Sequence, residues 1–171
     1  MTTIRLATEP DLPAILDISN DAILNTTAVY DYKPHTLEMR QAWFAAKQRD
    51  GYPVFVAEVA GEVAGFSTFG PFRPWSAYKY TVEHSVYVAQ QFRNRGIGRL
   101  LVKTVIDFAR QMDKHVILAG IDSANEVSIR MHKQLGFVET ATLKQVGYKF
   151  GRWLDLVFMQ LVLDTPAQPV E

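Results

Sequence analysis

Between residues 80 and 121 the hydrophobic period changes twice, and this constrains the fold more than any other feature of the chain. Residues 80–88 alternate as a strand does, with Glu83, Ser85 and Tyr87 on one face and Val82, His84, Val86 and Val88 on the other. A polar stretch over 89–95 follows. Then Ile97, Leu100, Leu101, Thr104, Val105, Phe108, Ala109 and Met112 recur at helical spacing and form one apolar stripe. Residues 116–121 are a short apolar run of the kind that a sheet buries on both faces. Strand, glycine-bearing loop, helix and strand in that order predict an α/β domain.

The flanking sequence extends this pattern without a repeat or a composition break. Residues 3–7 read as a strand, and Thr8 with Asp11 resembles a capping box ahead of a helix carrying Leu12, Ile15, Leu16, Ser19, Ala22 and Ile23 on one face. Thr36 caps a second helix whose Met39, Trp43, Phe44 and Ala46 are expected inward, with Asp50-Gly51 as its stop. Residues 53–59 and 63–69 predict a hairpin, and 70–78, with two prolines, a loop. Residues 125–135 predict a helix stopped by Gly136, and 137–143 and 154–163 two closing strands joined near Gly151. The chain of 171 residues is expected to form one domain over 1–164, with 165–171, containing Pro166 and Pro169, as a flexible tail.

Composition narrows the function. Eighteen Lys and Arg balance eighteen Asp and Glu, so no broad positive field draws the chain to nucleic acid. With 48% hydrophobic and 21% charged residues it can bury a core. The absence of cysteine removes disulfides, iron–sulfur clusters, thiolate zinc sites and a protein thiolate nucleophile. The apolar runs fall short of the ~20 residues that span a bilayer. Residues 1–12 carry Arg5, Glu9 and Asp11 where a signal peptide would be apolar, so a cytoplasmic location and no membrane partner are expected.

The chemistry concentrates at Arg93-Asn94-Arg95-Gly96-Ile97-Gly98-Arg99, between the alternating strand and the most periodic helix. Two glycines allow a tight turn that exposes N–H groups, and the helix start adds its positive dipole end. Three arginines suit a diphosphate better than a single carboxylate. A plain helix-start turn with solvated arginines is the simplest alternative. A dinucleotide loop is another, although Leu101 occupies the third glycine position of G-x-G-x-x-G, even with Asp122 after the next strand. No Gly-Lys-Ser/Thr follows, which excludes a triphosphatase loop.

Arg93-x-x-Gly96-x-Gly98, then Asn125-x-x-Ser128-x-x-x-His132-x-x-x-Gly136-Phe137, resembles the GNAT acetyltransferase superfamily over about residues 3–163. The block 81–88 and Gly147-x-Lys149-x-Gly151-x-Trp153-x-Asp155-x-x-x-x-Gln160 are similar to its phosphinothricin branch, which includes acetyltransferases for methionine sulfoximine and methionine sulfone. The resemblance implies an α/β (α+β) domain with a mixed, largely antiparallel sheet, splayed at the cofactor site and flanked by about four helices. It also implies acetyl-CoA as donor, no metal, direct transfer to the α-amine of a small amino acid in a ternary complex, and a homodimer.

Carried over by position, residues 93–99 would hold the pyrophosphate, Val86, Tyr87 and Val88 the pantetheine arm through main-chain groups, and Asn125 the pantetheine or a neighbouring backbone group. Glu83 matches the glutamate that serves as base in that branch. His132 stands where many relatives carry tyrosine and is a candidate acid or partner of Glu83. Arg73 suits a substrate carboxylate. Pro74, Trp75, His84, Ser85 and Tyr30 are candidates for the rest of the amino-acid pocket, and Val88 N–H for the oxyanion. Rival readings are an acetyltransferase for a protein N-terminus or a polyamine, and a catalytically silent acyl-CoA sensor that keeps the cradle without the base.

Overall fold

The changes of period become seven strands and four helices in the computed structural model, which describes residues 1–171. In chain order they are β1 (Thr2–Leu6), α1 (Leu12–Asn25), α2 (Leu37–Arg49), β2 (Val54–Val59), β3 (Glu62–Pro71), β4 (Thr81–Val88), α3 (Ile97–Gln111), β5 (Val116–Asp122), α4 (Glu126–Gln134), β6 (Val138–Lys149) and β7 (Arg152–Val162). The sheet order is β1-β2-β3-β4-β5-β7-β6. β4 runs parallel to β5, while the β1–β2, β2–β3, β5–β7 and β6–β7 pairs are antiparallel. The mixed, largely antiparallel α/β domain expected from the sequence is therefore found. No helix is long and apolar enough to cross a membrane.

The chain clusters into two compact units, Met1–Phe69 with Ser85–Val105 and Gly70–His84 with Ile106–Glu171, so β4 contributes residues to each. The first unit packs Leu12, Ile15 and Ile18 of α1 and Phe44 of α2 against Val54, Val56 and Phe66, with the Tyr87 ring 5.1 Å from that of Phe66. Thr36 Oγ1 accepts from Met39 N at 3.3 Å, which starts α2 as expected. The inward face of α2 differs from the expectation: Met39 is exposed and Arg40 is buried. Arg40 Nη2 donates to Ser19 Oγ at 2.7 Å and meets His35 Nδ1 at 3.2 Å, while its guanidinium lies 4.6 Å over the Trp43 ring. Two turns on, Lys47 Nζ donates to the Phe69 carbonyl at 2.7 Å, and desolvation holds this amine down to about 8. Their long stems cover apolar surface while their heads find buried oxygen, which a polar reading of the sequence overlooks.

In the second unit the apolar run of β5 buries Ile117, Leu118, Ala119 and Ile121, with Ala119 opposite Met159 and Ile121 opposite Val157 of β7. β6 is longer than expected. It continues to Lys149 because its extra residues form an irregularity between Leu143 and Gly147, where Gln145 takes a positive φ of 56°. Asp155 pins that bulge, accepting from Gln145 N and from Lys144 Nζ, each at 2.9 Å. Phe150 and Gly151, both at positive φ, close the β6–β7 hairpin. The C-terminal segment hydrogen-bonds back to this unit, with Tyr80 Oη 3.0 Å from both Val170 O and Val170 N.

Thr8 and Asp11 form the capping box over a short turn ahead of α1, with Thr8 N donating to Asp11 Oδ2 at 2.7 Å. Arg5 grips the same carboxylate with both terminal nitrogens at 2.8 Å. These bonds hold Asp11 down from 3.8 to about 2. A depressed carboxylate stabilises the fold fully above its unfolded value, and that contribution is lost as pH falls through the folded one. Asp11→Asn should therefore lose about 1–2 kcal/mol of stability at pH 7, since Arg5 is partly exposed, and the deficit should vanish near pH 2. Urea unfolding at both pH values checks this, and an equal deficit at both would contradict it.

Candidate active site

Glu83 lies on β4 where that strand pairs with β5, opposite Leu118. Its Oε1 stands 3.2 Å from the point where a Cβ on Gly120 would begin, and Leu156 and Phe158 flank the same point. Gly120 thus leaves the space that the carboxylate occupies, beside apolar neighbours. Desolvation raises the Glu83 carboxyl above its ordinary value, and the Arg73 charge pulls it back only in part. Arg73 lies over the Phe72 ring at 4.8 Å, and Phe72 N reaches the Thr81 carbonyl at 3.4 Å, which returns the 70–78 loop to the start of β4. Glu83, the candidate base, and Arg73, the candidate carboxylate receptor, are therefore within electrostatic reach, whereas His132, the candidate partner of Glu83, meets His84. Pro74 and Trp75 are exposed on that loop, Trp75 with its ring 6.4 Å from Tyr78.

His84 follows Glu83 and, by the alternation of the strand, points to the opposite face. It is 6% exposed, and His132 on α4 is 1% exposed. Their Nε2 atoms are 3.0 Å apart. His132 Nδ1 lies 2.8 Å from the Ser128 carbonyl one turn back, and His84 Nδ1 is buried without a hydrogen-bond partner. Burial, with His132 nearby, pushes His84 down to about 3, and desolvation also lowers His132. The Gly136-Phe137 pair explains how the cluster is closed. Phe137 N donates to His132 O at 3.0 Å and Gly136 N to Lys133 O at 3.1 Å, with Gly136 at φ 92°, which is a Schellman stop. That stop seats the Phe137 ring 5.0 Å from His132 and 5.7 Å from His84. At the other end of α4, Asn125 is the N-cap, its Oδ1 accepting from Ser128 N at 3.1 Å.

The 93–99 turn, the candidate anion cradle, belongs to the first unit. Asn94 and Gly96 take positive φ of 62° and 77°, which turns the chain into α3. Leu100 N donates to Gly96 O at 3.2 Å, so the amides of Ile97 and Gly98 precede the first helical bond. The arginines are not equivalent. Arg93 Nε donates to Val88 O at 3.1 Å and its Nη2 reaches Asp21 at 3.4 Å, whereas Arg95 lies 5.4 Å over Phe92. Arg99 is exposed on the first turn of α3. Val86, Tyr87, Val88 and Ser85 are half-buried along β4, and Tyr30 is at the margin of exposure in the segment after α1.

One residue that the motifs did not single out fixes this half. A Cβ at Gly65 would stand 2.6 Å from Tyr87 O, 3.2 Å from Val88 Cα and 3.3 Å from Leu101 Cδ1. A glycine inside a strand is the signal of such close approach. No group of three or more His, Asp or Glu is arranged to hold a metal ion.

A carboxyl raised by burial is suited to taking a proton, and a glycine-turned helix start presents backbone amides of the kind that meet an anion. Residues 16–137 match the acetyltransferase (GNAT) family. The chain belongs to that family and is an acyltransferase. It is 50% identical over 167 residues, 98% of either chain, to an L-methionine sulfoximine/L-methionine sulfone acetyltransferase of Salmonella typhimurium. It is 47% identical over 167 residues to the L-amino acid N-acyltransferase MnaT of Escherichia coli K12, covering 98% of this chain and 97% of that one. A GNAT superfamily phosphinothricin acetyltransferase from Sinorhizobium meliloti, solved in complex with acetyl-CoA, superposes with a TM-score of 0.95 at 33% identity, covering 98% of this chain and 92% of that one.

Because the atom nearest a Gly65 side chain is backbone, Gly65→Ala should force β3 and β4 apart and lower stability by about 1–3 kcal/mol. Chemical unfolding measures this. A loss below about 0.5 kcal/mol would mean that the strands part without cost.

Proposed function

We propose that this chain moves the acetyl group of acetyl-CoA onto the α-amine of a small amino acid bearing a polar, tetrahedral sulfur or phosphorus group, such as L-methionine sulfoximine, L-methionine sulfone or phosphinothricin. The observation that carries the chemistry is the half-buried Glu83 carboxyl, raised by desolvation and within reach of the Arg73 charge. The substrate class is supported by a relative named for methionine sulfoximine and sulfone acetylation that matches along nearly the whole chain.

Acetyl-CoA supplies a thioester-activated acyl group, and the remaining tasks fall to this chain. The substrate's ammonium has no lone pair, so Glu83 removes a proton before attack, a task suited to a carboxyl lifted toward neutrality. Arg73 receives the substrate carboxylate. Pro74, Trp75, Ser85 and Tyr30 shape the rest of the amino-acid site, whereas His84, also a candidate for it, is buried against His132 on the other face of the strand. The main chain of Val86, Tyr87 and Val88 lines the pantetheine arm as an added strand would, with the Val88 amide aimed at the developing oxyanion. The turn through Asn94 and Gly96, the amides of Ile97 and Gly98, and the charges of Arg93, Arg95 and Arg99 form the pyrophosphate cradle, and Asn125 bonds the pantetheine or a neighbouring backbone group. The positive φ at Asn94 and Gly96 and the α3 amides that precede the first helical bond fit such an anion. The chain has no cysteine, in keeping with direct transfer and no acyl-enzyme. A silent acyl-CoA sensor would need the cradle but no raised carboxyl, which favours the enzyme.

The partner we place against β6 is a second copy of this chain, acting with it in the cytoplasm. Val138, Leu143, Val146, Tyr148, Phe150 and Trp153 are all exposed on β6 and its hairpin, an apolar surface suited to an isologous contact. Sedimentation should give a dimer that Val146→Lys converts to monomer, and a monomeric wild type would refute the pairing.

Thiol release with the three named amino acids tests the activity, and silence with all three would refute the substrate class. Glu83→Gln should lower kcat about 100-fold or more. It should also raise the melting temperature at pH 8, because a carboxyl with a raised folded pKa weakens the fold once ionised, and this gain should fade as pH falls through the folded pKa and be gone below the unfolded one. Unchanged turnover would remove Glu83 as base. Arg73→Ala should raise the amino-acid KM at least about tenfold and leave the acetyl-CoA KM within about twofold, whereas equal changes in both would overturn the carboxylate role.

A further inference from the structure

We propose that His84 is a positioning residue that works with His132 as one unit: its Nε2–H caps the His132 ring, leaving His84 Nδ1 as the pair's one nitrogen open to a further hydrogen bond or proton. The assignment follows from which atoms can donate. The Ser128 carbonyl can only accept, so His132 Nδ1, 2.8 Å away, carries a proton. A neutral imidazole carries one N–H, so His132 Nε2 is bare. The 3.0 Å contact between the two Nε2 atoms needs one proton between them, which His84 must supply. His84 Nδ1 is then a bare lone pair, and it is the buried atom that has no partner. Both rings are held neutral by burial, with His84 pushed down to about 3. Phe137, in ring contact with both, offers neither ring a donor.

This changes what His132 can do in acetyl transfer. Its single N–H is committed to Ser128 and its lone pair to His84, so in the resting pair His132 has no proton to give and no site at which to take one directly. Exchange runs through His84. When a water or a ligand N–H or O–H donates to His84 Nδ1, that donor bond breaks with its electron pair left on the donor, and one N–H bond forms at Nδ1. The His84 Nε2–H bond breaks as a His132 Nε2–H bond forms. His84 ends neutral with its proton on Nδ1, and His132 ends as an imidazolium whose Nδ1–H still rests on the Ser128 carbonyl. Reversal of these steps returns the proton to the donor.

The test begins with the ring nitrogens of 15N-histidine-labelled wild-type protein at pH 7.5, read without substrate. Substitutions at each of the four histidines assign the signals. The expected spectrum shows His132 protonated on Nδ1 alone and His84 on Nε2 alone. Protonation of His132 on Nε2, or of either ring on both nitrogens, overturns the proposal. The kinetic arm rests on the proposed amino-acid acetylation. His84→Gln places an amide N–H at the same reach as imidazole Nε2 and should hold His132 in its tautomer, whereas His84→Leu should free its lone pair. With methionine sulfone, His84→Leu should lower kcat about tenfold or more with both KM values within about twofold, and its effect should not add to that of His132→Leu. His84→Gln should retain the His132 tautomer and be less impaired than His84→Leu. Equal kcat for the Gln and Leu variants, or full additivity with His132→Leu, overturns the positioning role. Where His84→Leu does not fold, the wild-type spectrum decides. Absence of turnover with any amino acid would refute the acetylation reading and leave the tautomers to be judged by the spectrum.

Discussion

At Gly65 the backbone of β3 lies so near β4 that the Tyr87 carbonyl oxygen stands 2.6 Å from where a side chain would begin. The same point is 3.3 Å from the Leu101 side chain of α3. A missing Cβ therefore sets the approach of three elements at once. Ala89 N donates to Ala64 O at 2.9 Å beside this contact, and Arg93 Nε takes the Val88 carbonyl at 3.1 Å. The chain then leaves β4 in a fixed direction, turns at Asn94 and Gly96, and starts α3 on Ile97, whose side chain is buried. The placement of the turn ahead of α3 is thus inherited from packing several residues away.

The second unit shows how burial acts differently on acids and bases. Desolvation disfavours charge on either, so it raises the Glu83 carboxyl and lowers the His84 and His132 rings. The carboxyl is only half-buried and keeps an opposing charge in Arg73, so it stays titratable. The imidazoles, with no carboxylate beside them in their hydrogen-bonding network, become a neutral pair. Adjacent residues on one strand consequently have opposite characters: Glu83 is poised to take a proton, and His84 is held without an extra one. The alternation of a β-strand makes this possible, since it sends neighbouring side chains to different faces.

Much of this was legible because local rules govern it. The strand–turn–helix signal at 80–112, the Thr36 cap and the Gly136 stop all arise from interactions within a few residues. What was hidden depends on residues distant in sequence. Arg40 reads as a surface charge until Ser19, His35 and Trp43 are seen around it. The length of β6 depends on Asp155 securing Gln145, ten residues away. The His84–His132 contact joins positions 48 residues apart, and the period of the strand shows only that His84 faces away from Glu83. Gly65 and Gly120 did carry a sequence signal, as glycines inside strands, but its meaning required the partner atoms: a carbonyl for one and the Glu83 carboxylate for the other.

Three arginines in seven residues suggested that charge makes the anion site, yet the geometry divides their work. Arg93 is engaged by Val88 O and Asp21, so much of its effect is to hold the turn. Arg95 stacks on Phe92, which orients the loop. Shape therefore comes first: Asn94 and Gly96 set the backbone, and the start of α3 supplies aligned dipoles that no side-chain motion can withdraw. Point charges on flexible stems strengthen attraction for any anion, whereas fixed amides favour one whose oxygens match their spacing. The amides ahead of α3 are fixed by that backbone geometry, which traces back to the close contact at Gly65.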